Sequence, residues 1–148
     1  MTAAECFRKG YSCAQAVVVA HAAEIGLTEE QAARAAAAFG SGFGGLRRTC
    51  GALAGLALLA GMKEGGFAPG DVPAKNRFYR QIQALEKEFA GVMGSSVCRD
   101  ILRAANVQPS PEASERTKAY YALRPCERCV ALADDLYRTR VAAPSSPS

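Results

Sequence analysis

The chain has 148 residues, which is enough for one domain with a buried core. Its 18 basic and 14 acidic residues give a net charge of +4, and they form neither a basic block nor the basic–aromatic stripe of a nucleic-acid binder. No secretory signal is visible, and the longest uncharged run, 49–62, is shorter than the about 20 residues that span a membrane. We therefore expect a cytoplasmic protein whose six cysteines are free, metal-bound or redox-active rather than joined in structural disulfides.

The first half of the chain carries clear helix signals. Alanine is abundant, tryptophan is absent and β-branched residues are few, which favours helices over strands. Capping boxes predict helix starts at Thr2, Ser12 and Thr28. A fourth helix should begin with Thr49 as its N-cap and end near residue 61. Before it, the segment GSGFGG predicts a tight turn that brings the backbone close to Cys50.

The second half of the chain predicts further helices. A long helix over 73–94 should pack at the centre of the fold through an apolar face. That face consists of Phe78, Ile82, Leu85 and Phe89. Ser95 should cap a short helix, and Pro125 should start the last one. The sequence therefore predicts an all-α fold, a compact bundle of about six to eight helices. We expect a single domain over 1–140 and a disordered tail at 141–148.

Four cysteines coincide with predicted helix starts. They are Cys13, Cys50, Cys98 and Cys126. At a helix N-terminus, unpaired backbone N–H groups and the helix dipole stabilise a thiolate, so the thiol pKa falls. Arg47 and Arg48 should lower the pKa of Cys50 further, which predicts Cys50 as the most reactive thiol. Cys6 falls inside the first helix and is interpreted as structural.

The remaining cysteine, Cys129, forms a C-x-x-C motif with Cys126, a pattern shared by redox dithiols and half metal sites. The wider spacing matches neither zinc knuckles nor ferredoxins, whose ligands lie about two to four residues apart. A shared site must therefore be assembled by tertiary packing. We expect the four cysteines at helix starts to converge, since a metal ion or disulfide pairing would relieve the repulsion among their thiolates.

Two other polar positions carry weaker signals. His21, the only histidine, lies on an apolar helix and is interpreted as a packed or rim residue rather than a catalytic base. Asp134 and Asp135 are interpreted as solvated helix charges.

The order of the cysteine motifs resembles the C_GCAxxG_C_C family of redox-active proteins. The motifs are GYSCAQAV, FGSGFGG followed by TCGALAG, GSSVC and CERCVALA. The family is described by four cysteines, which the resemblance carries onto Cys13, Cys50, Cys98 and one of the final pair. Cys126 is preferred there, because the residues after it then match the family's apolar positions, and Cys129 is the alternative. The resemblance implies a small cytoplasmic protein tied to oxidoreductase or transport systems. Related domains lie beside haem domains in split-Soret cytochromes, which implies iron–sulfur binding.

Three functions are compatible with these patterns. In the first, the protein is an electron-transfer protein or oxidoreductase with a metal centre, a 2Fe–2S cluster rather than zinc, and an unknown redox partner protein. The candidate ligands and catalytic residues are Cys13, Cys50, Cys98 and Cys126, with Cys129 as a further cofactor ligand. In the second, it is a cofactor-free thiol–disulfide protein in which Cys50 attacks and a neighbouring thiol resolves. In the third, it is a non-enzymatic helical interaction protein whose cysteines only pack. A homodimer is compatible with all three.

Overall fold

The computed structural model describes residues 1–143, and this part of the chain forms eight α-helices and no strand. The helices are α1 Ala3–Arg8, α2 Cys13–Ala20, α3 Glu29–Ala36, α4 Gly51–Glu64, α5 Val72–Met93, α6 Cys98–Ala104, α7 Lys118–Leu123 and α8 Cys126–Leu136. The prediction of an all-α bundle of about six to eight helices is confirmed. No helix within residues 1–143 is both long enough and apolar enough to cross a bilayer.

Most of the predicted helix starts are observed. The hydroxyls of Thr2, Ser12 and Thr28 each accept a backbone N–H bond from the residue three positions later. For Ser12 and Thr28 the glutamine at that position also bonds back, which completes a capping box. These three helices therefore begin where local side-chain chemistry dictates.

Two predicted caps are wrong. The N-cap of α4 is Cys50 rather than Thr49, and the N-cap of α6 is Val97 rather than Ser95. The physical reason is that Thr49 and Val97 form an isolated antiparallel β-bridge, which keeps both residues extended. Each helix therefore begins one or two residues later than its cap signal indicates.

The centre of the fold is the packing of α2 against α4. A Cβ atom at Gly55 would lie 2.9 Å from the Ala14 carbonyl oxygen and 3.1 Å from the Val17 Cβ atom, so only glycine permits this approach. Val17 and Leu56 are fully buried at this contact. The two helices meet along small residues, and the remaining helices pack around them.

The prediction that the long helix lies at the centre is wrong. In α5 only Leu85 and Phe89 are buried, Phe78 and Ile82 are half-buried, and Val92 is 61% exposed. The apolar face exists, but it packs against α4 and α8 at the edge of the α2–α4 core.

The C-terminal helix does not stop at Leu136. A π-helical segment, Tyr137–Val141, continues α8, and both Tyr137 and Val141 are buried. The predicted tail at 141–148 therefore begins with a residue packed on the core, and from residue 144 onward it lies outside the described residues.

The interpretation of Asp134 as a solvated charge is wrong. Its side chain is buried, and its carboxylate lies 2.6 Å from His21 Nε2. The carboxylate also accepts hydrogen bonds from Arg138 at 2.6 Å and from the Ala3 backbone N–H at 3.1 Å. His21 is buried beside it, as expected of a packed residue, and also faces Glu24. This polar cluster lies in the half of α8 remote from Cys126.

Candidate functional site

Five cysteines line a single small cavity. They are Cys13, Cys50, Cys98, Cys126 and Cys129. Its volume of about 40 Å³ leaves room for a water-sized occupant. Cys6 is fully buried in α1 and does not line the cavity, in agreement with its interpretation as structural. The structure therefore brings together the four cysteines predicted to converge, and it adds Cys129 to them.

The α2–α4 contact sets the positions of Cys13 and Cys50. A Cβ atom at Gly51 would lie 2.9 Å from the Phe39 carbonyl oxygen, 3.3 Å from the Ala14 nitrogen and 3.5 Å from the Cys13 Cβ atom. Cys50 caps α4, and Cys13 is the first residue of α2. The CGALAG segment thus supplies a thiol at the helix start and the two glycines that let this helix approach the other.

The β-bridge between Thr49 and Val97 places Cys98 beside Cys50. The Cys50 backbone N–H donates to the Ser96 carbonyl at 2.8 Å, and the Cys98 backbone N–H donates to the Arg48 carbonyl. These bonds join the segment before α4 to the segment before α6. Backbone hydrogen bonds therefore hold together two helix starts that are far apart in sequence.

The predicted glycine-rich turn is present, and its backbone is left-handed. Consecutive residues 41–45 all have positive φ, between 55° and 85°. The Gly44 N–H donates to the Gly40 carbonyl, which closes one left-handed helical turn. A Cβ atom at Gly42 would lie 2.6 Å from the Arg47 Cα atom, so the chain folds back tightly on the residue that enters the cavity.

Arg47 lies at the cavity, although not where the sequence placed it. Its side chain is buried, and its guanidinium donates to the carbonyls of Ser110 at 2.7 Å and Glu112 at 3.2 Å. The remaining Nη1 atom lies 3.8 Å from the Cys98 sulfur. Arg48 is exposed. The Arg47 charge therefore favours the thiolates of Cys98 and Cys126 rather than chiefly that of Cys50, because its guanidinium lies beside the Cys98 sulfur.

Cys126 has a strongly acidified thiol. Interaction with the neighbouring Cys13 thiol is the largest cause, and together with the charge of Arg124 and the hydroxyl of Tyr120 it overcomes burial and lowers the Cys126 pKa to about 6. The pKa of Cys13 is raised correspondingly by the same interaction and by its burial. At neutral pH, Cys126 is the thiolate of this pair and Cys13 is the protonated thiol.

Cys50 and Cys129 form a second pair. The Cys129 thiol lowers the pKa of Cys50, and the backbone N–H groups of Ala52 and Leu53 at the start of α4 favour the thiolate as well. The pKa of Cys129 is raised by interaction with Cys50 and by burial. The predicted lowering of the Cys50 pKa is thus present. The backbone at the start of α4, rather than an arginine, acts with the Cys129 thiol to cause it. Cys98 differs, because burial raises its pKa despite Arg47.

We predict that Cys126 reacts with iodoacetamide over a lower pH range than any unperturbed thiol. Since the folded pKa is lowered to about 6, its labelling rate should rise as pH increases through about 6 and level off near pH 8. Cys6, whose pKa burial raises, serves as the internal reference. Peptide mapping of alkylated, reduced protein measures both rates.

Replacing Arg124 with glutamine should move the Cys126 labelling midpoint upward, because the Arg124 charge favours this thiolate. A midpoint at or above about 8.5 in the unmodified protein would show that Cys126 is an ordinary thiol.

The described residues offer no ready metal site. Within residues 1–143, no three or more histidine, cysteine, aspartate or glutamate side chains are arranged to hold a metal ion. The cavity volume of about 40 Å³ is also small for a cluster. As placed within residues 1–143, the cysteine sulfurs therefore do not present a ready ligand set for a 2Fe–2S cluster.

Several residues of the cavity wall were missed by sequence reasoning. They include Ser12, Arg116 and Tyr120. Arg116 bonds the carbonyls of Phe7 and Tyr11, more than a hundred positions earlier in the chain, which no local pattern reveals.

Comparison with known proteins yields one family. The family model described as "Putative redox-active protein (C_GCAxxG_C_C)" matches residues 11–140. No curated protein and no solved structure matches the chain.

Proposed function

Because the chain belongs to the C_GCAxxG_C_C family of redox-active proteins, we propose that it is a thiol–disulfide oxidoreductase whose attacking thiol is Cys126. The observation that carries this proposal is that Cys126, half-buried and with a pKa of about 6, lines one cavity with the protonated thiol of Cys13. An acidic, accessible thiol beside a second thiol has the components of a dithiol redox site.

The reaction transfers two electrons to a disulfide substrate. The Cys126 thiolate attacks one sulfur of the substrate disulfide, a mixed disulfide forms, and the other half of the substrate leaves as a thiolate that takes up a proton. Cys13 then loses its proton and attacks the Cys126 sulfur, which releases the second half of the substrate as a thiol. The substrate disulfide is reduced to two thiols, and Cys13 and Cys126 are oxidised to a disulfide.

The Cys50–Cys129 pair is suited to a relay. Both residues are buried and line the same cavity, so they are shielded from substrate but adjacent to the first pair. The Cys50 thiolate would attack the Cys13–Cys126 disulfide, and Cys129 would resolve the product. The exchange returns Cys13 and Cys126 to thiols and leaves a Cys50–Cys129 disulfide.

The test is disulfide mapping after limited oxidation. Fully reduced protein is mixed with less than one equivalent of hydroxyethyl disulfide, quenched with iodoacetamide and digested for mass spectrometry. We expect the Cys13–Cys126 or Cys50–Cys129 linkage, while Cys6 stays alkylated. Cys126→Ser should slow oxidation by at least about tenfold, because Cys50, the other thiol with a lowered pKa, is buried away from the substrate. Cys6→Ser is the control and should react like the unmodified protein. Equal rates for Cys126→Ser and the unmodified protein would refute the assignment of Cys126.

A cysteine-ligated metal centre for electron transfer, a 2Fe–2S cluster in particular, is the second candidate. One observation favours it: five cysteines line one cavity, and thiolates are the donors that iron–sulfur clusters prefer. Holding a cluster would require the sulfurs to rearrange, since within residues 1–143 they form no metal-holding group. The expected ligands are those named from the sequence, Cys13, Cys50, Cys98 and Cys126, with Cys129 as the alternative to Cys126.

An anaerobic visible spectrum with iron, sulfide and zinc analysis of freshly purified protein separates the two candidates. The thiol–disulfide proposal expects no visible chromophore and about one titratable thiol per cysteine after reduction. Stoichiometric iron and sulfide would favour the second candidate instead. A protein without metal whose thiols exchange no faster than that of Cys6 would leave the cysteines with a packing role.

A further inference from the structure

A larger cavity adjoins the cysteine cavity. Its volume is about 250 Å³, and both cavities share part of their walls. The shared residues are Ser12, Ser41, Arg47, Arg116 and Tyr120. A molecule in the larger cavity would therefore lie next to the cysteines, in a space large enough for a fragment of several heavy atoms. We refer to this larger space as the arginine vestibule.

Three arginines line the arginine vestibule. They are Arg47, Arg116 and Arg124. Arg47 and Arg116 donate to backbone carbonyls, and Arg124 donates to the Ser114 hydroxyl at 2.7 Å. All of these acceptors are neutral. Within residues 1–143 none of the three arginines forms a salt bridge, and no aspartate or glutamate lines the vestibule.

The side chain of Tyr120 orders two of these charges. The Arg116 guanidinium lies 4.8 Å from the centre of the Tyr120 ring, and that of Arg124 lies 4.7 Å from it. Each is a cation–π contact, which holds the cation in place without neutralising it. Like charges gathered in a cleft produce a positive potential that concentrates anions there. The arginines are therefore oriented by neutral partners and keep their charge available to a ligand.

We propose that the arginine vestibule binds the carboxylate of a small anionic disulfide, whose sulfurs then reach Cys126. This inference rests on the proposed thiol–disulfide function and names its substrate class. Planar guanidinium groups bind carboxylates through paired N–H donors. The volume of about 250 Å³ favours a low-molecular-weight disulfide over a protein partner carrying acidic residues.

The test compares three small disulfides that differ in charge. Dithiodipropionate is a dianion, hydroxyethyl disulfide is neutral and cystamine is a dication. Their rates of reaction with reduced, full-length protein are each divided by the rate with a simple thiol such as mercaptoethanol, which removes intrinsic reactivity. We expect the anion to react about tenfold faster than the neutral disulfide and the cation to react most slowly. The preference should shrink as salt is raised.

Three variants test whether the arginine vestibule causes the preference for the anionic disulfide. Arg124→Gln should reduce the anion-to-neutral rate ratio several-fold, and Arg124→Lys should retain much of it. The ratio is independent of the thiolate fraction at Cys126, because one thiolate attacks both substrates. Arg128→Gln is the matched control, since Arg128 is exposed and does not line the vestibule. Its ratio should equal that of the unmodified protein.

The outcomes separate the two proposals. If no disulfide reacts faster with the protein than with mercaptoethanol, the thiol–disulfide function fails. If all three react quickly but the charge ratio matches that of mercaptoethanol, or is unchanged in Arg124→Gln, the vestibule does not select anions. A protein disulfide flanked by acidic residues serves as a fourth substrate. If it shows the Arg124-dependent preference and dithiodipropionate does not, the small-molecule assignment is overturned in favour of a protein partner.

Discussion

Replacing Asp134 with alanine is expected to lower the free energy of unfolding by about 3–5 kcal/mol, the cost of breaking a buried charged network. Asp134 is 2% exposed and accepts from His21, Arg138 and the Ala3 backbone N–H. Its removal leaves the buried His21 ring and the Ala3 donor without their acceptor. Chemical denaturation monitored by circular dichroism measures the change.

Asp135→Ala is the matched control for this variant. Asp135 is the next residue of α8, and its side chain is exposed, so its removal should change the unfolding free energy by less than about 0.5 kcal/mol. Comparable losses for the two variants would mean that the network around Asp134 contributes nothing specific.

The same network predicts a pH dependence of stability. Burial alone would raise the Asp134 pKa, but hydrogen bonds from His21 and Arg138 hold it well below its usual range. Burial alone would lower the His21 pKa, but Asp134 and Glu24 raise it above 6.5. The His21 contribution is complete below about pH 6.5 and is lost as pH rises through its raised pKa, whereas that of Asp134 is lost as pH falls below about 4. Asp134→Ala should flatten this profile on both sides.

Replacing Gly55 with alanine should lower the unfolding free energy by about 1–3 kcal/mol, although alanine is the better helix former. The added Cβ atom would lie 2.9 Å from the Ala14 carbonyl oxygen and 3.1 Å from the Val17 Cβ atom, so α2 and α4 must separate. This separation would also move Cys13 away from Cys50. Chemical denaturation measures the loss of stability, and the rate of disulfide formation measures the displacement of Cys13.

Gly61→Ala provides the comparison on the same helix. A Cβ atom at Gly61 would meet only the Phe78 ring at 3.8 Å, an ordinary contact. This variant should be neutral or more stable by up to about 1 kcal/mol, because alanine stabilises a helix relative to glycine. If Gly55→Ala behaves in the same way, the close approach of the two helices does not depend on glycine.

Local chemistry explains which parts of the fold were predictable. Thr2, Ser12 and Thr28 bond to amides three residues away, so their helix starts are encoded within a few positions. The caps at Thr49 and Ser95 failed because a bridge between distant segments overrides the local signal. The long helix was predicted, but its position at the edge of the core was not, since apolar spacing shows that a face is buried and not how deeply.

The candidate site was predictable in part for the same reason. The helix-start pattern identified cysteines that line one cavity, including both members of the pair Cys13 and Cys126. The pattern could not show how the thiols pair, nor that Arg47 faces Cys98 rather than Cys50. Those features depend on a left-handed turn and on contacts between segments that are remote in sequence.

The bridge between Thr49 and Val97 has a consequence for how the chain tolerates insertions. The bridge fixes both ends of the segment that carries α4 and α5. Next to it, the backbone N–H groups of Cys50 and Cys98 donate to carbonyls on the opposite side of the bridge. The connection between these helices contains Gly66 and Gly70, around which a side chain would meet nothing within 4 Å. A reporter sequence inserted there should leave the cysteine cavity intact, whereas one inserted beside Thr49 or Val97 would separate two of its thiols.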